Sequence, residues 1–290
     1  LWGAPANELS PTVAGNRLSG LDLRTFIAES VLRGRSRSHV EGRFYYPRFG
    51  IGAIAEALAA SCGDAAVRTE SRITRLWHDG GLIRGVEVNG KERVEVGSVV
   101  SSLPLTLTLR ILDPPPPPEV RALADSIRYR QVRLVVLMVD RESVTRAATV
   151  YFPSSEFEFT RLSEPRNRSV HMSPAGKTSL LAEIPCHEDD EIWRADDRSL
   201  IDAVRSRLVD IGWVRPEEIM GGVTDRLPNA YPVLDIRCEA AVAGINDFLG
   251  RFRNLHLTGR SGRFVYRWIH NMMPFGLETV NQIADGEGDW

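Results

Sequence analysis

The chain has 290 residues, 43% of them hydrophobic and 26% charged, with 36 basic side chains against 38 acidic ones. That length holds one large domain or two moderate ones, and the balance is that of an ordinary soluble globular protein. A formal net charge of -2 gives no global bias toward nucleic acid or an anionic membrane surface.

Cys62, Cys186 and Cys238 are odd in number and widely spaced. They fit neither a disulfide framework nor a zinc site, and a reducing, cytoplasmic setting is expected. Apolar runs such as residues 133–139 are of strand length and too short to span a bilayer. No signal peptide is visible, and the chain opens at Leu1 without an initiator Met, which reads as an internal start.

In chain order, residues 1–40 read as irregular and helical, with a start signal at Ser10-Pro11 and an apolar stripe through Leu21, Leu23, Phe26, Ile27 and Val31. Residues 33–39 form a basic, Ser-rich loop, and 51–61 a helix rich in Ala and Leu. Strands are expected at 66–70, 73–78, 82–88, 93–96 and 98–101, with hairpin turns at Asp79-Gly80-Gly81 and Asn89-Gly90-Lys91. The run Pro114 to Pro118 is extended and stiff, which marks a crossing between subdomains. Beyond it come a helix at 119–126, a strand at 131–139 and strand-like pieces at 149–152, 158–160 and 179–184. A helix at 199–212 follows the Asp196-Asp197 start signal, then a strand within 223–237 and a helix at 240–249.

Gly50-Ile51-Gly52-Ala53-Ile54-Ala55 matches a dinucleotide fingerprint by letter, and Glu70 stands where a ribose-binding acid would. The preceding Tyr45-Tyr46-Pro47-Arg48-Phe49 argues against it, because Pro and Arg replace the buried strand such a turn requires. After Glu70 the chain reads as a hairpin meander rather than a further helix and parallel strand. An NAD-dependent dehydrogenase built on this turn is the runner-up enzyme.

The richest segment is Asn254-Leu255-His256-Leu257-Thr258-Gly259-Arg260-Ser261-Gly262-Arg263-Phe264-Val265-Tyr266, running on to Gly276-Leu277-Glu278. A short apolar strand ends in a Gly-Arg-Ser-Gly turn, passes an aromatic loop and enters a helix near Pro274. Glycines permit close approach and a helix N-terminus is electropositive, so backbone N–H groups can converge there on an anion or a polarised ring.

This segment resembles the C-terminal flavin-contacting part of the FAD-dependent amine oxidase, protoporphyrinogen oxidase and UDP-galactopyranose mutase superfamily. Tyr46-Pro47-Arg48-Phe49-Gly50-Ile51-Gly52 through Leu58 is similar to that family's Tyr-Pro-x-x-Gly-x-Gly element, and Val67 to Val88 with Val99-Val100-Ser101-Ser102-Leu103-Pro104 to its middle FAD segment.

The resemblance implies an α/β fold, α+β by strict layer count: part of a three-layer, Rossmann-like FAD-binding domain with a β-rich substrate domain. It assigns 1–40 to a helical part of the substrate domain, 41–113 to the middle FAD segment, 114–240 to the substrate domain and 241–290 to the C-terminal FAD segment. It also implies that roughly 100–200 residues with the pyrophosphate fingerprint precede Leu1. Tight FAD binding by these residues alone is then not expected.

The implied activity is FAD-dependent hydride abstraction from a small organic substrate, by a bacterial enzyme in the cytoplasm or at the membrane face. Alternatives are a UDP-sugar mutase-like flavoenzyme and a degenerate, non-catalytic binding module. Cofactor candidates are Gly50, Gly52, Val67, Gly259, Arg260, Ser261, Gly262, Met272, Met273 and Gly276. Tyr266, Trp268 and His270 are the catalytic candidates, walling the ring and shuttling a proton. Tyr46, Arg48, Arg161 and Tyr231 are substrate candidates, and Arg166 and Arg168 are further arginines for a sugar diphosphate. For a flavin-linked lysine, as in amine oxidases, only Lys91 and Lys177 exist.

Other constellations carry no chemistry. The acids of His187-Glu188-Asp189-Asp190-Glu191 are consecutive, with no second His at helical spacing, so no metal site is expected. Ser101-Ser102 lacks a nucleophile elbow, and Arg33 to Arg37 lacks the aromatics of a nucleic-acid platform.

Overall fold

A computed structural model describes residues 7–10, 45–63, 66–267 and 269–286. They fall into two units between which the chain passes repeatedly. The first holds the described residues of 17–67 and 129–231, the second those of 4–16, 68–128 and 232–290.

Helix α1 (Gly52–Cys62) belongs to the first unit. The second unit then takes β1 (Ile73–His78), β2 (Ile83–Val88), β3 (Glu92–Glu95), β4 (Val99–Ser101), α2 (Leu105–Arg110), β5 (Leu112–Asp113) and α3 (Pro118–Ser126). The chain returns to the first unit for β6 (Tyr129–Val139), β7 (Thr149–Tyr151), β8 (Arg161–Ser163), β9 (Thr178–Cys186), α4 (Glu191–Arg194), α5 (Asp197–Asp210) and β10 (Ile219–Pro232). Helix α6 (Ile236–Leu249), β11 (Leu255–Leu257), α7 (Gly259–Gly262) and α8 (Ile269–Gly286) complete the second unit. Mixed helices and sheets make the chain α/β, as the sequence implied.

The first unit is a five-stranded sheet in the order β10-β6-β9-β8-β7. Alternation decides its buried face: Val135, Leu137 and Val139 of β6 lie beside Leu180, Ala182 and Ile184 of β9. Leu200, Val204 and Leu208 of α5 recur every fourth residue and cover that face. Asp196 caps α5 by accepting from the Ser199 N–H at 2.9 Å. Two buried charges are tied in. Arg133 donates to the carbonyls of Trp193 and Ala195 at 3.1 and 2.9 Å and pairs with Asp197 at 2.9 Å. Glu164 accepts from the backbone of Val144 and Thr145 at 2.9 and 2.8 Å and from the Thr178 hydroxyl at 2.8 Å.

The second unit contains a four-stranded sheet, β3-β2-β1-β5, and a two-stranded parallel pair, β11-β4. Buried Asn254 joins them. Its carboxamide accepts from Ile83 N–H at 2.8 Å and donates to the carbonyls of Ile83 and Gly97 at 2.8 and 2.7 Å. Helix α6 buries Cys238, Ala241, Ile245, Phe248 and Leu249, and its N-cap Asp235 accepts from Cys238 N–H at 2.8 Å. A Cβ on Gly244 would meet Leu123 at 2.6 Å, so α3 approaches α6 where a side chain is missing.

Four expectations are corrected. Residues 66–70 form no strand: Glu70 has φ +54°, and its carbonyl accepts from the Asn89 side chain rather than from a ladder. The strand expected at 158–160 lies at Arg161–Ser163, in register with β9 through Arg161 opposite Glu183. The proline run marks no crossing. It stays inside the second unit, with Pro118 as first residue of α3, where a missing N–H costs nothing, and the chain changes unit only after Arg128. Nor does a strand lead into Gly50, since residues 45–50 are irregular, which removes the dinucleotide-turn reading.

Replacing Asn254 by Ala strands three buried backbone groups and is expected to destabilise the second unit by about 2–4 kcal/mol. Chemical denaturation checks this, and a loss below about 0.5 kcal/mol would refute the role.

Candidate functional site

The site begins where the parallel pair ends. Strands β4 and β11 run with Leu255 against Val99 and Leu257 against Ser101. Thr258 N–H donates to the Ser101 carbonyl at 2.9 Å, and the chain then turns at Gly259, φ +71°, into α7. A Cβ on Gly262 would stand 2.7 Å from that same Ser101 oxygen, so only glycine lets the turn settle on the end of β4. Arg263 reaches back, donating to the Leu257 carbonyl at 3.1 Å, pairing with Glu278 at 2.7 Å and lying 4.2 Å from the Phe275 ring centroid. Together these contacts clamp α8 to the strand–turn. Buried Thr279 adds a hydroxyl contact to Thr258 at 3.2 Å.

Beside the loop after α7 lies a cavity of about 540 Å³. Phe264, Val265, Tyr266 and Arg267 line one side, and Cys238, Glu239, Val242, Ala243 and Asn246 of α6 line the other. Phe264 is buried at φ +52°, a conformation a bulky residue keeps only when its surroundings hold it. The Arg260 guanidinium lies 4.5 Å from the Tyr266 ring centroid, which stiffens the aromatic wall. Glu239 at the rim accepts from Ser10, whose own N–H donates to Leu234 carbonyl at 2.9 Å. Burial pushes the Cys238 thiol up to about 12, helped by the charges of Asp235 and Glu239, so it stays protonated and unreactive.

Tyr266 therefore lines a cavity, while Gly259, Arg260, Ser261 and Gly262 form the turn that leads to it. His270 is exposed at the start of α8 and does not line the cavity, and Trp268 lies outside the described residues. Helix α8 begins at Ile269 rather than near Pro274, since φ-fixed proline fits inside it at the loss of one ladder bond. Met272, Met273 and Gly276 thus lie within the helix, not at an N-terminus offering free donors.

The remaining candidates belong to the first unit. Tyr46, Arg48 and Gly50 share one turn, Gly52 opens α1 with empty space at its Cβ position, and Val67 is exposed. Arg161 is held by Glu183, Nε to Oε1 at 2.8 Å and Nη2 to Oε2 at 2.6 Å. Burial works against its charge, but the Glu183 carboxylate outweighs that and raises its pKa. Tyr231 lies half-buried near the end of β10.

The cavity face of α6 was missed in the sequence, although a signal existed. Residues 238, 239, 242, 243 and 246 recur at helical spacing and so share one face of the helix. Among the described residues no group of three or more His, Cys, Asp or Glu side chains could hold a metal, and no helix is long and apolar enough to cross a membrane.

Comparison with known proteins agrees with this architecture. The model of the flavin containing amine oxidoreductase family matches residues 14–234. The solved structure of reduced UDP-galactopyranose mutase superposes with a TM-score of 0.71 at 18% identity, over 90% of this chain and 57% of that one. A protein assigned as a protoporphyrinogen oxidase from Exiguobacterium sp. 255-15 gives 0.63 at 16% identity, over 87% and 53%. Wild-type putrescine oxidase bound to putrescine gives 0.55 at 15%, over 81% and 53%. The chain spans little more than half the length of these structures. A search of curated proteins gave no match.

Two predictions test the site. Gly262→Ala forces a Cβ onto a backbone carbonyl and is expected to cost about 1–3 kcal/mol, read by thermal denaturation; an unchanged midpoint would refute the packing role. Burial holds the His256 pKa below its ordinary 6.5, so the unfolded chain takes up a proton first as pH falls. Stability should drop from pH 6.5 down to the folded pKa and then level off, and His256→Gln should flatten that slope.

A family match over more than half of the sequence, set on this fold, means that the chain belongs to the flavin containing amine oxidoreductases.

Proposed function

We propose that this protein is the greater part of an FAD-dependent oxidoreductase that takes a hydride from a small organic substrate. The observation that carries the reading is the glycine turn of α7 leading into the Tyr266 wall of a cavity, within a chain of this family. A cavity of about 540 Å³ with mainly apolar walls suits a planar ring system. Bound flavin supplies the hydride acceptor. The chain's own part is to hold and shield it: Tyr266 and Phe264 exclude water, and Arg260 and Arg267 set a positive field beside the loop. Tyr266 would wall the bound ring, and the Arg260 guanidinium would neutralise a phosphate of the cofactor.

A lysine-assisted amine oxidation finds little support. Lys177 pairs with Asp140 at 2.5 Å, Lys91 sits in a hairpin turn, and neither lines the cavity. Mutase-type chemistry is the second reading, favoured by the arginine-rich stretch 161–168.

Titration of the purified protein with FAD, followed by flavin absorbance and fluorescence, tests the proposal. Saturable binding is expected, weaker by about tenfold in Arg260→Ala, which corresponds to roughly 1.4 kcal/mol. No spectral change with FAD, together with nicotinamide-dependent turnover, would overturn it.

A further inference from the structure

A short strap lies along the rim of the cavity. Residues 8–10 belong to the second unit and run against the stretch that leads into α6. Leu9 bridges to Asp235, the Ser10 N–H donates to the Leu234 carbonyl at 2.9 Å, and the Ile236 N–H donates to the Glu8 carbonyl at 3.0 Å. The Ser10 hydroxyl donates to the Glu239 carboxylate. Leu234 and Glu239 both line the cavity, and so does the buried thiol of Cys238 that stands between them in the chain. The strap therefore grips the very residues that form this end of the wall.

Two features let it part from the rim while the rim stays folded. The first is how it is held. Its backbone contact is an isolated bridge, not a ladder, so it can open without undoing neighbouring strands. Its tie to α6 is polar: Ser10, 2% exposed, exchanges a carboxylate for water on leaving, and Ile236 is 61% exposed, so water can replace Glu8 at its N–H. The second feature is that α6 keeps its own start. Asp235 accepts from the N–H groups of Arg237 and Cys238 at 3.1 and 2.8 Å and pairs with Arg128 at 3.3 Å. Val233 N–H donates to the Arg128 carbonyl at 2.9 Å. None of these bonds involves the strap.

We propose that residues 8–10 are a gate, which closes the Leu234–Glu239 end of the cavity and on release admits a small molecule past Cys238. The Ser10–Glu239 hydrogen bond is its catch. As a statement about access this needs no flavin. That the molecule admitted is a flavin or its substrate rests on the function proposed above.

The chain's three thiols supply the test. Cys62 is exposed, Cys186 is buried in the sheet of the first unit, and Cys238 borders the cavity. The full 290-residue chain is treated with methyl methanethiosulfonate, and each site is followed by peptide mass spectrometry. Labelling of Cys238 is expected to quicken at least about threefold in Ser10→Ala. In Ser10→Asp, where two carboxylates would face each other, it should quicken at least about tenfold. The Cys62 and Cys186 rates should not change. Equal Cys238 rates in the wild type and both variants would overturn the gate. If either variant misfolds, amide hydrogen exchange of the wild type decides. The Ser10 and Ile236 N–H groups should exchange together, at least about tenfold faster than that of Ile245 inside α6. Equal protection of all three would refute the proposal. Cys238 labelling that follows the expected pattern in a protein that binds no FAD would keep the gate and sink the flavin reading alone.

Discussion

Asn254 has one amide donor group and one carbonyl acceptor, and it uses both on main-chain groups of Ile83 and Gly97. Those groups belong to the start of β2 and the approach to β4, two stretches that no ladder joins. The carboxamide replaces the missing ladder in a buried place where water cannot substitute. Because Asn254 directly precedes β11, the same residue fixes where that strand begins. The position of α7, and of the cavity wall beyond it, descends from this anchor.

Downstream of Asn254, shape comes from what is absent as much as from what is present. Gly262 removes a Cβ where the turn meets Ser101, and Gly244 removes one where α3 meets α6. Arg263 then binds strand, turn and helix through one guanidinium, with the Phe275 ring beneath it. Phe264 is forced into a left-handed backbone conformation, and the loop carrying Tyr266 passes along the cavity. Close packing thus sets the course of the loop along the cavity.

Strongly periodic elements were legible beforehand: α1, the hairpin strands β1 and β2, β6, β9 and α5 lie where alternation or a helical stripe put them. Short or capped elements were less so. The start of α6 moved to Ile236 because Asp235 accepts two backbone N–H bonds, and α8 runs through Pro274 because proline forbids one ladder bond rather than a helix. Of the candidate residues, Arg161 looked free in the sequence but meets Glu183 across neighbouring strands, a pairing of residues 22 apart that depends on register.

By itself the sequence determined the family resemblance, the class of fold, most regular elements and the glycine turn at 259–262. Those features are local, written in spacing and in residues whose backbone freedom is intrinsic. Only the tertiary structure decided that α6 supplies a cavity wall, that Arg161 is tied to Glu183, and that Asn254 is a joint. Each of these depends on which distant groups meet in a place shielded from water, where an unmatched polar atom is costly, and no local pattern encodes such a meeting.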